Sequence, residues 1–104
     1  MIRSTAQVPT QNGGKYLQQL CKHWSHSLSV EFTPERGTVI FPANIRGEQF
    51  PSEGRVEMIA HPDSLEVQVE GADERQVARL RDVVASHLDR FAFREAPLRF
   101  DWDG

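Results

Sequence analysis

Stretches in which apolar and polar residues alternate recur along the chain, and each has the pattern of a strand that buries one face. The first runs from Ile2 to Val8 and ends at Pro9. Further alternation predicts strands at 28–32, 38–41, 55–60, 65–70 and 98–102. Turn-forming residues at 33–37 and 61–64 join neighbouring strands and predict two hairpins.

Two other stretches have the apolar spacing of helices that bury one side. The first is expected to begin after an N-cap at Asn12 and to close at Ser27. Its apolar stripe consists of Tyr16, Leu17, Leu20, Cys21 and Trp24. The second helix opens on a capping box formed by Asp73 and Gln76, and Pro97 prevents its continuation. Its apolar stripe consists of Val77, Leu80, Val84, Leu88 and Phe91.

The order of these elements, β-α-β-β-β-β-α-β, predicts a fold of the α+β class. We expect a mainly antiparallel, twisted sheet with both helices on its apolar face, formed by residues 1–104 as a single domain. The opposite face would be polar and solvated, or would serve as a binding or dimer surface. Its expected members are Arg3, Thr5, Glu31, Arg55, Glu57, Gln68 and Arg99.

Composition narrows the class of protein. In 104 residues, 38% are hydrophobic, which is enough for one core, and the formal net charge of -3 is spread among interleaved acidic and basic residues. Nucleic acid is disfavoured as a partner because no basic stripe is present to neutralise phosphates. No apolar run approaches a membrane span, and the N-terminus lacks the apolar core of a secretory signal. The lone cysteine excludes an intrachain disulfide, so we expect a cytoplasmic protein.

Candidate chemistry concentrates in the first helix, which carries the only cysteine and two of the four histidines. On a regular helix Cys21 and His23 point roughly 160° apart, so they cannot share one metal ion. His23 and His26 lie about 60° apart and could supply two ligands to zinc or iron, with a third ligand coming from another element. The alternative is that Cys21 packs as a small apolar residue and both histidines meet water.

His87 lies about 40° from the centre of the second apolar stripe. A histidine there either finds a hydrogen-bond partner within the core or faces a pocket. Cys21, Trp24 and His87 are therefore the candidates for a ligand pocket where the helices meet the sheet. The connection 42–51 could also line such a site, or could pack its apolar residues Ile45 and Phe50 onto the core.

Three runs carry a resemblance to a known family: YLxxLCKHWxH at 16–26, VEF at 30–32 and DVVAxHLxRFAFRE at 82–95. They resemble the bacterial family known as domain of unknown function 2218, and the likeness extends from Thr5 to Trp102. The family has no established activity. Its domain also occurs joined to flavin-dependent siderophore-interacting reductases, so the resemblance implies a role near ferric siderophore handling. The segment from Asn44 to Phe50 departs from the family's shorter turn.

Three functions fit the sequence. The first is a binding or accessory module that holds a small molecule or a metal ion with His23, His26 and His87 beside Trp24. The second is a structural or interaction protein that forms a homodimer through the polar sheet face or an open sheet edge. The third and least favoured is an enzyme with Cys21 as nucleophile, for which only His87 remains as base. The sequence names neither a substrate nor a reaction.

Overall fold

The computed structural model describes residues 1–45 and 47–103. Within them lie two helices, α1 (Gly13–Trp24) and α2 (Glu74–Phe91). The strands are β1 (Ile2–Pro9), β2 (Ser29–Phe32), β3 (Arg36–Phe41), β4 (Asn44–Ile45), β5 (Glu48–Gln49), β6 (Gly54–Ala60), β7 (Ser64–Gly71) and β8 (Trp102–Asp103). Neither helix is long and apolar enough to cross a membrane.

Six of the strands form one antiparallel sheet in the order β2-β3-β6-β7-β1-β8, while β4 and β5 pair separately as a short hairpin. The register sets Val56 opposite Val69 and Met58 opposite Val67, so large apolar side chains share one face. The α+β class and the predicted order of the elements are confirmed.

Both helices cover this apolar face. Helix α1 packs on β3 and β6, and α2 packs on β7, β1 and β6. The strand residues beneath the helices, Val39, Val56, Met58, Val67 and Val69, are completely buried. The opposite face carries exposed ion pairs such as Arg3 with Glu70 at 3.2 Å and Arg36 with Glu57 at 3.3 Å. The predicted placement of the helices on one face is therefore confirmed.

The start of α1 differs from the prediction in its capping. Asn12 occupies the N-cap position, but its side chain makes no capping hydrogen bond. Instead, Asn12 Nδ2 donates to Glu95 Oε2 at 3.0 Å, and the hydroxyls of Thr10 and Tyr16 also donate to this carboxylate. A hydrogen bond to an ionised carboxylate is stronger than the bond that the neutral amide of Asn12 would form as an N-cap. The Asn12 side chain therefore points to Glu95 instead of capping its own helix.

Helix α1 also ends earlier than predicted, at Trp24 instead of Ser27. The backbone N–H groups of Ser27 and Leu28 both return to the carbonyl of Trp24, at 3.1 and 2.8 Å. This turn closes the helix and starts the approach to β2. His26 therefore lies beyond the helix, and the regular spacing assumed for His23 and His26 does not extend to it.

The start of α2 follows the prediction in one of the two hydrogen bonds of the capping box, while the second goes to Ala72 instead of to Asp73. Asp73 Oδ1 accepts a hydrogen bond from the backbone N–H of Gln76 at 2.8 Å. The fully buried side chain of Gln76 accepts from the N–H of Ala72 and donates to the carbonyl of Ser52, at 2.7 and 2.8 Å. This glutamine thus joins the first turn of α2 to the segment that precedes β6.

The last strand is shorter than predicted, because only Trp102 and Asp103 pair with β1. The segment before them is held against α2, where the N–H of Leu98 donates to Asp89 Oδ1 at 2.9 Å and the Leu98 side chain is buried. Arg99, which was expected on the polar sheet face, therefore lies outside the sheet and pairs with Asp101 at 2.8 Å.

Candidate functional site

A pocket of about 290 Å³ opens where the end of α1, the middle of α2 and the connection after β3 meet. Aromatic rings and aliphatic side chains form most of its wall, with two imidazoles, a hydroxyl and an amide among them. The lining consists of His23, Trp24, Ser27, Leu28, Phe41, Pro42, Asn44, Ile45, Val83 and His87. This pocket unites three of the residues singled out from the sequence: His23, Trp24 and His87.

His87 is nearly buried, with 9% of its surface exposed, and its orientation is fixed by its own helix. Its Nδ1 lies 2.7 Å from the backbone carbonyl oxygen of Val83, one turn earlier. Because a carbonyl oxygen only accepts hydrogen bonds, Nδ1 must carry the proton. In the neutral ring Nε2 then carries the lone pair, so the helix sets the tautomer of this pocket residue.

Aromatic contacts fix the position of His87 relative to α1. Its ring centroid lies 5.2 Å from the Trp24 ring and 5.6 Å from the His23 ring. Trp24 meets Phe41 of β3 edge to face at 5.0 Å, and His23 meets Phe91 of α2 edge to face at 5.8 Å. The pocket is thus built on side chains that the two helices and the sheet hold together.

The outer wall of the pocket belongs to the connection that the sequence marked as either a ligand loop or core packing. Ile45 and Phe50 are buried, so the connection packs on the core, and Pro42, Asn44 and Ile45 also line the pocket. Its middle residues form the β4–β5 hairpin. Arg46, between Ile45 and Gly47 in the sequence, lies outside the described residues.

Helix α2 anchors this hairpin through Glu48. Its carboxylate accepts from Arg79 Nε at 2.9 Å and from Arg75 Nη1 at 2.6 Å, and the guanidinium of Arg75 lies 4.3 Å above the centre of the Phe50 ring. The hydrogen bond from Arg79, followed by that from Arg75, lowers the pKa of Glu48 below its ordinary value. Glu48 therefore stays ionised and joins the pocket wall to α2 over the neutral pH range.

Two of the predicted site residues lie elsewhere. His26 is exposed in the turn after α1 and does not line the pocket. Cys21 is completely buried on the side of α1 that faces β3, where a Cβ added to Gly37 would lie 2.6 Å from its Sγ. Within residues 1–45 and 47–103, no three His, Cys, Asp or Glu side chains are grouped so that they could hold a metal ion.

Burial also changes the acid strength of Cys21. Removal from water disfavours the charged thiolate and raises the pKa of the thiol to about 11. At neutral pH the thiol therefore stays protonated, which makes it a poor nucleophile. Its surroundings are those of a small packing residue beneath α1.

Several lining residues were not singled out individually from the sequence. Ser27 and Leu28 reach the pocket only because α1 ends at Trp24, and Asn44 reaches it because β4 and β5 fold back as a hairpin. Val83 lies on the flank of the apolar stripe of α2. The sequence indicated that it is near His87 only through their spacing of four residues. The pocket depends on how distant segments pack, which no local pattern contains.

Comparison with known proteins gives a family and a fold. The model of a family described as an uncharacterised protein conserved in bacteria, DUF2218, matches residues 5–103. The NMR structure of PA4090 from Pseudomonas aeruginosa shares 37% sequence identity and superposes with a TM-score of 0.77, over 99% of this chain and 96% of that one. No curated protein matches the chain. The chain therefore belongs to the DUF2218 family of bacterial proteins.

Proposed function

We propose that the protein is a cytoplasmic binding or accessory module that holds a small molecule in the pocket between α1, α2 and the β3–β4 connection. The observation that carries this proposal is the meeting of His23, Trp24 and His87 at one concave site of about 290 Å³. Small-molecule sites are concave, mostly apolar and supplied with a few placed polar groups. A volume at the low end of their range favours a ligand of one or two rings.

The lining favours a flat, uncharged ligand with hydrogen-bonding groups at its edge. Among the described lining residues there is no carboxylate, ammonium or guanidinium group. Trp24 and Phe41 offer aromatic surface, and the imidazoles of His23 and His87 lie beside it. Aromatic rings pack well on such surfaces, and imidazoles exchange hydrogen bonds with hydroxyl or amide groups.

The family resemblance adds a physiological context to this proposal. It implies a role near ferric siderophore handling, and the iron-binding groups of many siderophores are catechols or hydroxamates. A single catechol ring is of a size that suits a site of this volume and lining. We therefore propose that the module acts in the handling of such a molecule or of its metal complex.

A titration observed by ¹H–¹⁵N NMR tests the proposal, with catechol and benzohydroxamic acid as probes and cyclohexane-1,2-diol as a non-aromatic control. We expect saturable shifts in Trp24, Ile45 and Val83 with the two aromatic probes and weak or no shifts with the diol. Shifts that are scattered over the surface, or absent for both aromatic probes, would contradict the proposal.

Two serines after α1 provide a matched pair of variants. Ser27 lines the pocket, whereas Ser25, also exposed, does not. Ser27→Trp places an indole in the opening and is expected to weaken probe binding by about tenfold or more, because the ligand and the new side chain compete for one space. Ser25→Trp is expected to leave binding within about twofold of the wild type. Equal losses in both variants would argue against binding at this pocket.

A second function, homodimer formation, is favoured by the exposed edge of the sheet. Strand β2 ends the six-stranded order, and no described strand pairs with its outer side. Hollows of about 300 and 320 Å³ lie against β2 and β3, and Val30 and Phe32 are only half-buried. Unpaired edges of this kind can pair with a second copy. Sedimentation equilibrium over a wide concentration range decides the matter, because a constant monomer mass contradicts a dimer.

A further inference from the structure

The two pocket histidines form a close pair, whereas the sequence named them only within a wider group that included His26. The ring centroids of His23 and His87 lie 5.6 Å apart, with the ring planes tilted by 44°. An imidazole nitrogen binds zinc at about 2.1 Å, which places the ring centroid roughly 3 Å from the metal. Two imidazoles on one tetrahedral ion would therefore have centroids roughly 5 Å apart. The observed spacing is close to that value.

The hydrogen bond at His87 Nδ1 gives the second observation. Histidines that bind metals through Nε2 usually donate Nδ1–H to a carboxylate, a carbonyl or water, and this bond fixes both tautomer and ring direction. In the structure Nδ1 already donates to the Val83 carbonyl at 2.7 Å. The ring is thus in the tautomer that a metal ion requires, and packing against Trp24 at 5.2 Å restricts its rotation.

We propose that His23 and His87 together bind a divalent late transition metal, such as zinc, through ring nitrogens at the mouth of the pocket. Imidazole suits zinc, copper and nickel, and the pair leaves the other coordination positions to water or to oxygen atoms of a small chelating ligand. The proposal rests on the proposed function, since the chelating ligand would occupy the same pocket. It assigns the metal to His23 with His87 instead of to His23 with His26.

The number of ligand atoms around the metal ion predicts how tightly the protein binds it. Two imidazoles alone hold a metal more weakly than the three or four protein ligands of a permanent site. A bidentate ligand in the pocket would add two oxygen donors and retain the ion in a ternary complex. We therefore expect weak binding of zinc alone, and binding strengthened about tenfold or more when catechol is also present.

The test uses the full chain, freed of metal and titrated with zinc chloride, while imidazole nitrogens are observed by long-range ¹H–¹⁵N NMR. We expect one ring nitrogen of His23 and Nε2 of His87 to shift together and to saturate. The rings of His26 and His61 serve as internal controls, because both are exposed and neither lines the pocket. No saturable shift of His23 up to about 1 mM zinc would overturn the proposal.

Four single variants complete the design. His23→Ala and His87→Ala are each expected to weaken zinc binding by about tenfold or more, whereas His26→Ala and His61→Ala leave it unchanged. His23 is exposed, so its variant keeps the test decisive even if the change at buried His87 disturbs folding. A loss in His26→Ala equal to that in His23→Ala would overturn the assignment in favour of the pair on α1.

The same samples separate this inference from the proposed function. If catechol shifts Trp24 and Ile45 in metal-free protein while zinc shifts neither imidazole, the metal site is wrong and the binding module stands. If zinc binds His23 and His87 while neither aromatic probe reaches the pocket, the metal site stands and the small-molecule function fails. If neither zinc nor probe acts at the pocket, both proposals are wrong.

Discussion

The hydroxyl of Tyr16 in α1 donates a hydrogen bond to the carboxylate of Glu95, which follows α2 in the chain. Thr10 Oγ1 and Asn12 Nδ2 donate to the same carboxylate at 2.9 and 3.0 Å. Three side chains from the start of the chain thus meet one acceptor from its end. This cluster holds the segment after α2 against the start of α1. The core lies beneath α1, and the pocket lies at the other end of this helix.

Replacement of Glu95 by glutamine is expected to lower the free energy of unfolding by about 1 to 3 kcal/mol, because hydrogen bonds to a charged acceptor contribute more than those to a neutral one. Urea unfolding measures the change. Glu70→Gln is the matched control: Glu70 pairs with a largely exposed Arg3 at 3.2 Å, and such pairs contribute less than about 1 kcal/mol. An effect of Glu95→Gln no larger than that of the control would contradict the role of the cluster.

The same bond makes stability depend on pH in a defined direction. The hydrogen bond from Tyr16, followed by that from Asn12, lowers the pKa of Glu95 below its ordinary 4.5. The stabilisation is therefore present above about pH 4.5 and is lost as the pH falls through the lowered pKa. The difference in unfolding free energy between wild type and Glu95→Gln should shrink in acid. A difference that stays constant from pH 7 to pH 3 would contradict this cause.

At alkaline pH, Tyr16 makes the stability depend on pH in the opposite direction. Its hydrogen bond to Glu95, with burial, raises the pKa of Tyr16 above 10.0. The stabilisation is fully present below pH 10 and is lost as the pH rises through the raised pKa. Spectrophotometric titration should give a Tyr16 pKa that falls towards its ordinary value in Glu95→Gln.

A close approach between Gly37 and Cys21 leads to a prediction about the core. A Cβ at Gly37 would lie 2.6 Å from Cys21 Sγ, so Gly37→Ala is expected to destabilise the protein by about 1 to 3 kcal/mol through overpacking. The double variant with Cys21→Ala should recover part of this loss, because the sulfur is the atom in conflict. Thermal unfolding of the two single variants and the double variant measures the coupling. Strict additivity would contradict the contact.

The outer wall of the pocket should loosen when Glu48 loses its charge. Glu48→Gln weakens the hydrogen bonds from Arg75 and Arg79 that hold the β4–β5 hairpin on α2. We expect faster hydrogen exchange at the N–H of Phe50, which donates to the Ala43 carbonyl at 2.7 Å, and weaker catechol binding. Glu53→Gln, in the exposed segment between β5 and β6, is the control and should change neither quantity.

The sequence was informative wherever a feature depends on neighbouring residues. Alternation placed the hairpin in which Val56 faces Val69, and the capping box at Asp73 was visible as a local pattern. The predictions failed where a residue far away in the sequence offers a competing hydrogen bond. Asn12 could not be known to prefer Glu95 over its own helix, and Leu98 could not be known to leave the sheet for Asp89.

The same contrast between features set by neighbouring residues and features set by distant residues holds for the candidate site. The helical periodicity around His87 indicated a boundary histidine in need of a partner, and the partner proved to be Val83 in the same helix. Periodicity also paired His23 with His26, but this spacing assumed a helix that continues past Trp24. The sequence named His23 and His87 together as members of one candidate site, but their separation depends on how α1 packs on α2, so it could be measured only in three dimensions.

The most direct test of the central claim is the measurement of intermolecular nuclear Overhauser effects between catechol and the isotope-labelled protein. If catechol binds in the pocket, we expect contacts from its ring protons to the indole of Trp24, the imidazole of His87 and the side chain of Ile45. Contacts confined to β2 and β3, or saturable binding without any contact to Trp24 and His87, would contradict it.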